Sequence, residues 1–524
     1  MFKENKINKR LKKLEQHLKH ENPILSEVVQ NFRELDRISR KLGFLQREES
    51  HAIRTPWWPL ISILGIYSAG KSTFINNFLQ YDLQDVGIQA VDDKFSVICF
   101  TNDDKERVLP GLALDADPRF PLYKISRAIE EVAVGEGEHI DAYLQLKTCP
   151  SKMLRGKILI DSPGFDADAQ RTSTLRITDH IIDLSDLVLV FFDARHPETG
   201  SMRDTLEHLV KTTVNRRDSN KFLYILNQID VTANEDNLEE VFAAWQRALA
   251  QYGLTAGRSY AIYSKDSSIP FENEDVRVRF EGKRQADTGA IYSRIQQVGV
   301  ERAYRIVGML EQTAQMLKQD VVALLQRFIE RWRRKVLWLE GAILAGLVAA
   351  FLALTIWGGY WEGLSLNLPL LDLVTRNNYT KLGALAILIA VAGYGHFSIR
   401  RWAAGKVKKK LLAEIKDPDL LPNYQRALHK NSRWWRSLFF PNPAGWGRRT
   451  AAGLAKVVED SNAYIQKLND EYTNPSGEEK NELSIEELAA GDSKRPNLGR
   501  IESENTLRVD TGPGNRLISA NRKD

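Results

Sequence analysis

Gly65-Ile-Tyr-Ser-Ala-Gly70-Lys71-Ser72 has the spacing G-x-x-x-x-G-K-S, a loop whose backbone N–H groups can cradle phosphates. Gly65, Ser68, Ala69, Gly70, Lys71, Ser72 and Thr73 are therefore the expected nucleotide contacts, with Lys71 a point charge on the β- and γ-phosphates and the Ser72 hydroxyl a ligand for Mg²⁺. Further along, Lys157-Ile-Leu-Ile160 reads as a strand ending in Asp161-Ser-Pro-Gly164. A carboxylate there can hold Mg²⁺ through water, and the Gly164 N–H can sense a γ-phosphate. Asn227-Gln-Ile-Asp230 follows another apolar run, and Asp230 could accept two hydrogen bonds from guanine N1–H and its 2-amino group, which adenine does not offer in that arrangement. Catalysis is expected from Lys71, Ser68, Asp161 and Gly164, and base recognition from Asn227 and Asp230. The expected substrate is GTP, with Mg²⁺ as cofactor.

These residues need elements to position them. Leu60-Ile-Ser-Ile-Leu64 reads as a buried strand before the loop, and Thr73-Phe-Ile-Asn-Asn-Phe-Leu79 as the helix after it. Leu187–Phe192 and Phe222–Leu226 are further apolar strands. The alternation predicts an α/β P-loop nucleotide-binding domain, a doubly wound sheet with ligand at the strands' C-terminal ends. A chain of 524 residues exceeds one ordinary core, and a formal charge of +5 is too small to argue for nucleic acid. Cys99 and Cys149 stand in apolar or strand-like contexts without metal-binding spacing, and read as thiols of a reducing compartment. Met1–His20 is rich in Lys and Glu and has no secretory signal pattern.

Two uncharged runs, Gly341–Trp361 and Leu382–Ile399, are long enough for membrane spans. Arg327, Arg331, Arg333, Arg334 and Lys335 precede the first; Arg400, Arg401, Lys406, Lys408, Lys409 and Lys410 follow the second. By the positive-inside rule both ends face the cytoplasm, where the nucleotide is. A re-entrant hairpin and a pair of buried helices in a soluble bundle are the rival readings.

On these motifs the chain resembles the dynamin superfamily. The loop Gly65–Ser72 is close to those of dynamins and of the Eps15-homology-domain ATPases. Ser185-Asp-Leu-Val-Leu-Val-Phe-Phe-Asp193-Ala-Arg195 is similar to the latter group, and the gap from Ser72 to Asp161 is wider than in small Ras-like proteins. A hairpin after a helical segment resembles mitofusins and some bacterial dynamin-like proteins. The resemblance covers about residues 55–270 by motif. It departs from the family at Val91–Phe95, where the switch threonine is missing; Asp92 or Asp93 is offered as metal ligand instead, and Thr101 only if the loop is longer. Tyr67 stands where dynamins carry a catalytic glutamine, and Gln228 where a lysine usually packs on the base. No EF-hand loop pattern is present, and the Eps15-homology relatives bind ATP, so guanine preference stays open.

Residues 1–50 are expected as amphipathic helices, 51–275 as the G domain, 276–335 as a helical stalk and 336–400 as two transmembrane helices. Residues 401–473 would return as helices to the bundle, and 474–524 form a disordered tail. Trp434, Trp435, Leu438, Phe439 and Phe440 belong either to the headgroup layer or to the bundle core. The resemblance implies a membrane-anchored GTPase, slow until assembly, that remodels, tethers or fuses membranes. Its partners would be the bilayer and, through G domains and stalk, further copies of itself. A bacterial inner membrane is the favoured location. A nucleotide-gated transporter and a non-hydrolysing scaffold are the alternatives; His396 is almost the only ionisable group in the spans.

Overall fold

The structure, a computed structural model, describes residues 6–86, 94–116, 125–132, 137–164, 171–195, 219–251, 257–362, 377–415 and 420–473, with isolated residues between some of these stretches. The chain divides into two units, Met1–Asn481 and Glu482–Asp524, and the fold below is that of the first. The expected tail, 474–524, lies outside the described residues.

Helices α1 (Lys6–Glu21) and α2 (Pro23–Leu42) open the chain. Asn22 caps α2 by accepting from Leu25 N–H at 3.1 Å, Pro23 takes the first-turn position, and Gly43 ends the helix at φ 81°. Leu25, Val28, Val29, Phe32, Leu35, Ile38 and Leu42 recur at helical spacing and are all buried.

The sheet follows: β1 (Leu60–Gly65), α3 (Lys71–Leu79), β2 (Phe95–Phe100), β3 (Arg107–Pro110), β4 (Leu144–Cys149), β5 (Ile158–Asp161), α4 (Arg171–Leu184), β6 (Leu187–Asp193), β7 (Phe222–Asn227), α5 (Leu238–Gln251) and β8 (Arg258–Ala261). Among the described residues it has eight strands in the order β3-β4-β2-β5-β1-β6-β7-β8. β5, β1, β6, β7 and β8 are parallel, whereas β2 runs antiparallel to β5 and β3 antiparallel to β4, so the sheet is mixed. β1, β6 and β7 are buried along their whole length, as parallel strands covered on both faces must be. Leu187, Leu189 and Phe191 point to the face packed by α3; Val188, Val190 and Phe192 point to the opposite face, with Trp245 of α5. Cys99 and Cys149 sit on adjacent strands one register apart, with Cys99 opposite Thr148, and neither forms a disulfide.

A single helical run of 84 residues, Glu274–Trp357, leaves the sheet. It comprises α6 (Glu274–Met316), a π-helical stretch Leu317–Val322, and α7 (Ala323–Trp357). At 1.5 Å per residue it spans about 120 Å. Ile291, Ile295 and Val298 pack against the sheet, while Ile306 through Val336 join α1 and α2 in a second core. That core is completed by the lower part of α8 (Asn378–Leu412), by α9 (Leu421–Asn431) and by α10 (Arg448–Thr473). Asn31 donates to Asp460 Oδ2 at 3.1 Å and to Tyr464 OH at 3.2 Å, joining α2 to α10.

The apolar halves of α7 and α8 are long and apolar enough to cross a membrane. Leu344, Leu347, Ile387 and Leu388 are 64, 63, 66 and 66 % exposed, so these segments are not core helices of a soluble bundle. Within the stretch 401–473 expected as helices, α9 stops at Asn431 and residues 432–443 are not helical.

Candidate functional site

β1 delivers the chain to the phosphate loop at the sheet's switch point, between β5 and β6, and α3 starts at Lys71. Two glycines are dictated by close approach. A Cβ on Gly70, at φ 80°, would meet Asn227 Nδ2 at 2.2 Å, and one on Gly65 would meet the Phe191 carbonyl oxygen at 2.6 Å. Ser68 adopts φ 60°, a left-handed conformation that costs a non-glycine residue about 1 kcal/mol, and its side chain is exposed. Ala69 is fully buried, while Ser72 and Thr73 occupy the first turn of α3, partly exposed. The first backbone N–H groups of α3 are thus free of intrahelical partners where an anion would sit.

Lys71 is buried, and Nζ donates to the carbonyls of Gly65 at 3.0 Å and Ile66 at 3.1 Å. Burial pulls its pKa below the usual lysine value, with the Asp161 charge opposing that shift. Asp161 ends β5 opposite Ile63 of β1 and is 3 % exposed. Its Oδ2 accepts from Gln84 Nε2 at 2.5 Å, and Gln84 Oε1 accepts from Lys147 Nζ at 2.5 Å. Gly164 lies against the loop: a Cβ there would stand 2.9 Å from Tyr67 Cα.

The Asn227–Asp230 segment grips the same loop. Asn227 Nδ2 donates to the Ala69 carbonyl at 2.9 Å, and Gln228 Nε2 to the Ser68 carbonyl at 2.6 Å. Asp230 is buried, accepts from Ile269 N–H at 2.9 Å, and has its pKa raised by that burial. Thr101 stands at the far end of β2. Ser96, at the near end, pairs with Asp161, so Thr101 is about 16 Å along the strand from the site. Asp92 lies outside the described residues.

Three residues at the site were not assigned a role from sequence. Gln84 and Lys147 look like ordinary polar residues until the fold sets the segment after α3, fixed by Asn76, between β4 and Asp161. Arg195 follows β6; its Nη2 lies 3.2 Å from Ser68 Oγ and 2.6 Å from Asp193 Oδ2. The order of motifs marked Asp193 and Arg195 as part of a resemblance, with no signal for a contact to the loop.

Among the described residues no group of three or more His, Cys, Asp or Glu side chains could hold a metal alone. The donors at hand, the Ser72 hydroxyl and the buried Asp161 carboxylate, are hard oxygens. That set suits Mg²⁺ when phosphate and water complete its shell. Fold and loop together define a P-loop nucleotide-binding domain.

The family model described as Dynamin family matches residues 61–229, so the nucleotide domain is similar to that family. It is similar to EH domain-containing protein 3 of Homo sapiens and EH domain-containing protein 1 of Bos taurus, each 26 % identical over 235 residues, 43 % of this chain and 41 % of theirs. The chain thus spans about two fifths of the length of the curated relatives it matches. Two solved structures described as an oligomerised bacterial dynamin pair, with a mechanism for long-range sensing and tethering of membranes, are 14 % identical. They cover 89 and 84 % of this chain and 79 and 78 % of theirs, with TM-scores of 0.30 and 0.31.

Proposed function

We propose that this protein is a membrane-anchored, dynamin-like GTPase that couples GTP binding and hydrolysis to remodelling, tethering or fusion of the bilayer it spans. The observation that carries the reading is the continuity of one helical run, Glu274–Trp357. It packs on the sheet at Ile291 and Ile295 and ends in a membrane-length apolar segment. A change at the phosphate loop has a rigid element through which to reach the membrane, provided nucleotide biases a two-state stalk.

In this reading Lys71 and the loop N–H groups neutralise charge on the β- and γ-phosphates, and Gly164 N–H reports the γ-phosphate. Ser72 and Asp161, together with Asp92, would hold Mg²⁺, which would supply charge neutralisation at the phosphates. Asp230 would accept from guanine N1–H and the 2-amino group. Oδ2 already accepts from Ile269 N–H, and burial of the carboxylate favours a base edge whose donors use its remaining acceptor capacity. The arginine and lysine clusters flanking both spans support a nucleotide domain on the cytoplasmic side; a bacterial inner membrane is the location we propose, and further copies would assemble through G domains and stalk.

The test is reconstitution of the full chain in vesicles, with turnover, tethering and vesicle shape followed in GTP, ATP and no nucleotide. Turnover abolished by Lys71→Ala, with GTP-dependent tethering or shape change, is the expected result. Unchanged vesicles with GTP sink the remodelling reading. Asp230→Asn checks the base: it should weaken GTP and favour xanthosine triphosphate, whose O2 accepts where guanine donates.

A further inference from the structure

Residues 432–443, Ser-Arg-Trp-Trp-Arg-Ser-Leu-Phe-Phe-Pro-Asn-Pro, leave the bundle between α9 and α10. The segment is clipped in place. Fully buried Asn431 donates to the Ala427 carbonyl at 2.9 Å and accepts from Ala444 N–H at 2.7 Å, closing the base of the loop. Leu438 is 6 % exposed and plugs into the bundle core. Arg400 of α8 donates to the Arg436 carbonyl, and the Arg436 guanidinium donates to the Asn442 carbonyl.

Held by these bonds, the loop turns four large rings outward: Trp434, Trp435, Phe439 and Phe440 are 68, 62, 70 and 68 % exposed. A bundle core, one of the two sequence readings, is thereby ruled out for those four. A rigid platform that holds aromatic surface in water is unfavourable unless something covers it.

Two observations identify the cover. The first is place: Trp434 packs edge-on to Phe397, ring centroids 6.1 Å apart, at the end of the second apolar segment. The loop is therefore level with the basic end of the hairpin. The second is charge. The loop carries Arg433 and Arg436 and no acidic residue, and cations lie over its rings: Arg333 is 5.8 Å from the Phe439 centroid and Arg433 5.1 Å from that of Trp435. Rings with arginine heads beside them match a headgroup layer, where the ring enters and the cation stays at the phosphates.

We infer that residues 432–443 form a headgroup-layer anchor that enters the anionic leaflet of the bilayer crossed by α7 and α8. Because Arg400 ties the loop to the base of the second apolar helix, the anchor adds an off-axis grip on one leaflet. The hairpin holds depth; hairpin and loop together resist tilting of the bundle against the leaflet. The inference rests on the proposed hairpin for its place, but makes a separate claim about lipid contact.

The experiment uses the full chain in vesicles of phosphatidylcholine with and without phosphatidylglycerol, some with acyl chains brominated near the headgroup. Emission of W434F/W435F is subtracted from that of the unaltered protein, so the difference reports those tryptophans alone. The conservative Phe replacements keep the fold, checked by unchanged nucleotide binding. The difference emission should fall about twofold or more with brominated lipid, and more strongly with phosphatidylglycerol present. A difference emission indifferent to bromine overturns the anchor. So does one shielded from bromine but dependent on protein concentration, which would mean a second copy covers the rings. Carbonate extraction of the same vesicles separates the two claims: protein stripped by carbonate yet quenched by bromine refutes the hairpin and keeps the anchor.

Discussion

Gln84 donates through Nε2 to Asp161 Oδ2 at 2.5 Å and accepts through Oε1 from Lys147 Nζ at 2.5 Å, so a buried ammonium is relayed through an amide onto a buried carboxylate. Gln84 is itself fixed by Asn76, which donates from Nδ2 to the Gln84 carbonyl at 2.8 Å and accepts from its N–H at 2.9 Å. The relay orients the carboxylate proposed for Mg²⁺ from behind, without taking part in the chemistry.

Replacing Gln84 by Ala removes one partner from each of two buried charges, an expected loss of about 1–3 kcal/mol of stability. The more specific readout is metal dependence: a freer Asp161 should raise the Mg²⁺ concentration for half-maximal turnover several-fold, with GTP affinity in EDTA little changed. Urea melts and Mg²⁺ titrations check both. An unaltered Mg²⁺ titration would reduce the network to packing.

Arg195 joins Asp193 to the phosphate loop at Ser68 and is itself exposed, but its loss strips the buried Asp193 carboxylate of its guanidinium partner, so a stability cost of about 1–3 kcal/mol should accompany any effect on turnover. Its guanidinium stands at Ser68, whose backbone would face the phosphates in the proposed reading. Arg195→Ala is expected to lower turnover by roughly ten- to a hundredfold through lost charge stabilisation. Arg195→Lys should recover only part, since a point charge cannot repeat the fork. Single-turnover kinetics decide; equal rates in all three proteins would remove Arg195 from the reaction.

His51 gives a pH dependence far from the nucleotide. Its backbone N–H donates to Asp36 Oδ1 at 2.7 Å, its Nε2 lies 2.9 Å from Ser39 Oγ, and burial, aided by Arg54 and Arg40, lowers its pKa from 6.5 to about 4. The unfolded chain takes up this proton near 6.5 and the folded chain only near 4, so acidification between those values favours unfolding, by on the order of 2 kcal/mol. Burial raises the Asp36 carboxyl above 3.8, which works in the opposite sense and offsets part of the loss at the acid end. Melting temperature followed from pH 7 to 4 should fall, and His51→Asn should flatten that slope.

Arg302 of α6 is the clamp between sheet and stalk. It donates to Asp186 Oδ1 at 3.1 Å and through Nε to the Pro56 carbonyl at 2.8 Å, while Asp186 Oδ2 accepts from Leu60 N–H at 3.0 Å. Arg302→Met leaves Asp186 buried with Arg305, 2.6 Å away, as its remaining cation, an expected cost of about 2–4 kcal/mol. If the helix transmits the nucleotide state, GTP affinity should stay within a few-fold while GTP-dependent vesicle tethering falls. Loss of both together would mark Arg302 as a fold residue only.

Local rules sufficed where one stretch of chain specifies its own geometry. The glycine and lysine spacing of Gly65–Ser72, the apolar strands on either side, the helical repeat Leu25–Leu42 and the charge-free runs in the last part of α7 and the first part of α8 could all be read from the residues, because period, turn geometry and solvent transfer act over a few residues. Which strand lies beside which needed the whole chain. Only the mixed register puts Ser96 next to Asp161 and sends Thr101 to the other end of β2, and only the fold brings Gln84 and Lys147 together behind the carboxylate. Arg195 at Ser68, Arg302 at Asp186 and the outward rings of residues 432–443 are likewise products of tertiary packing. A contact between residues more than a hundred positions apart is set by the summed burial of two cores, which no local pattern encodes.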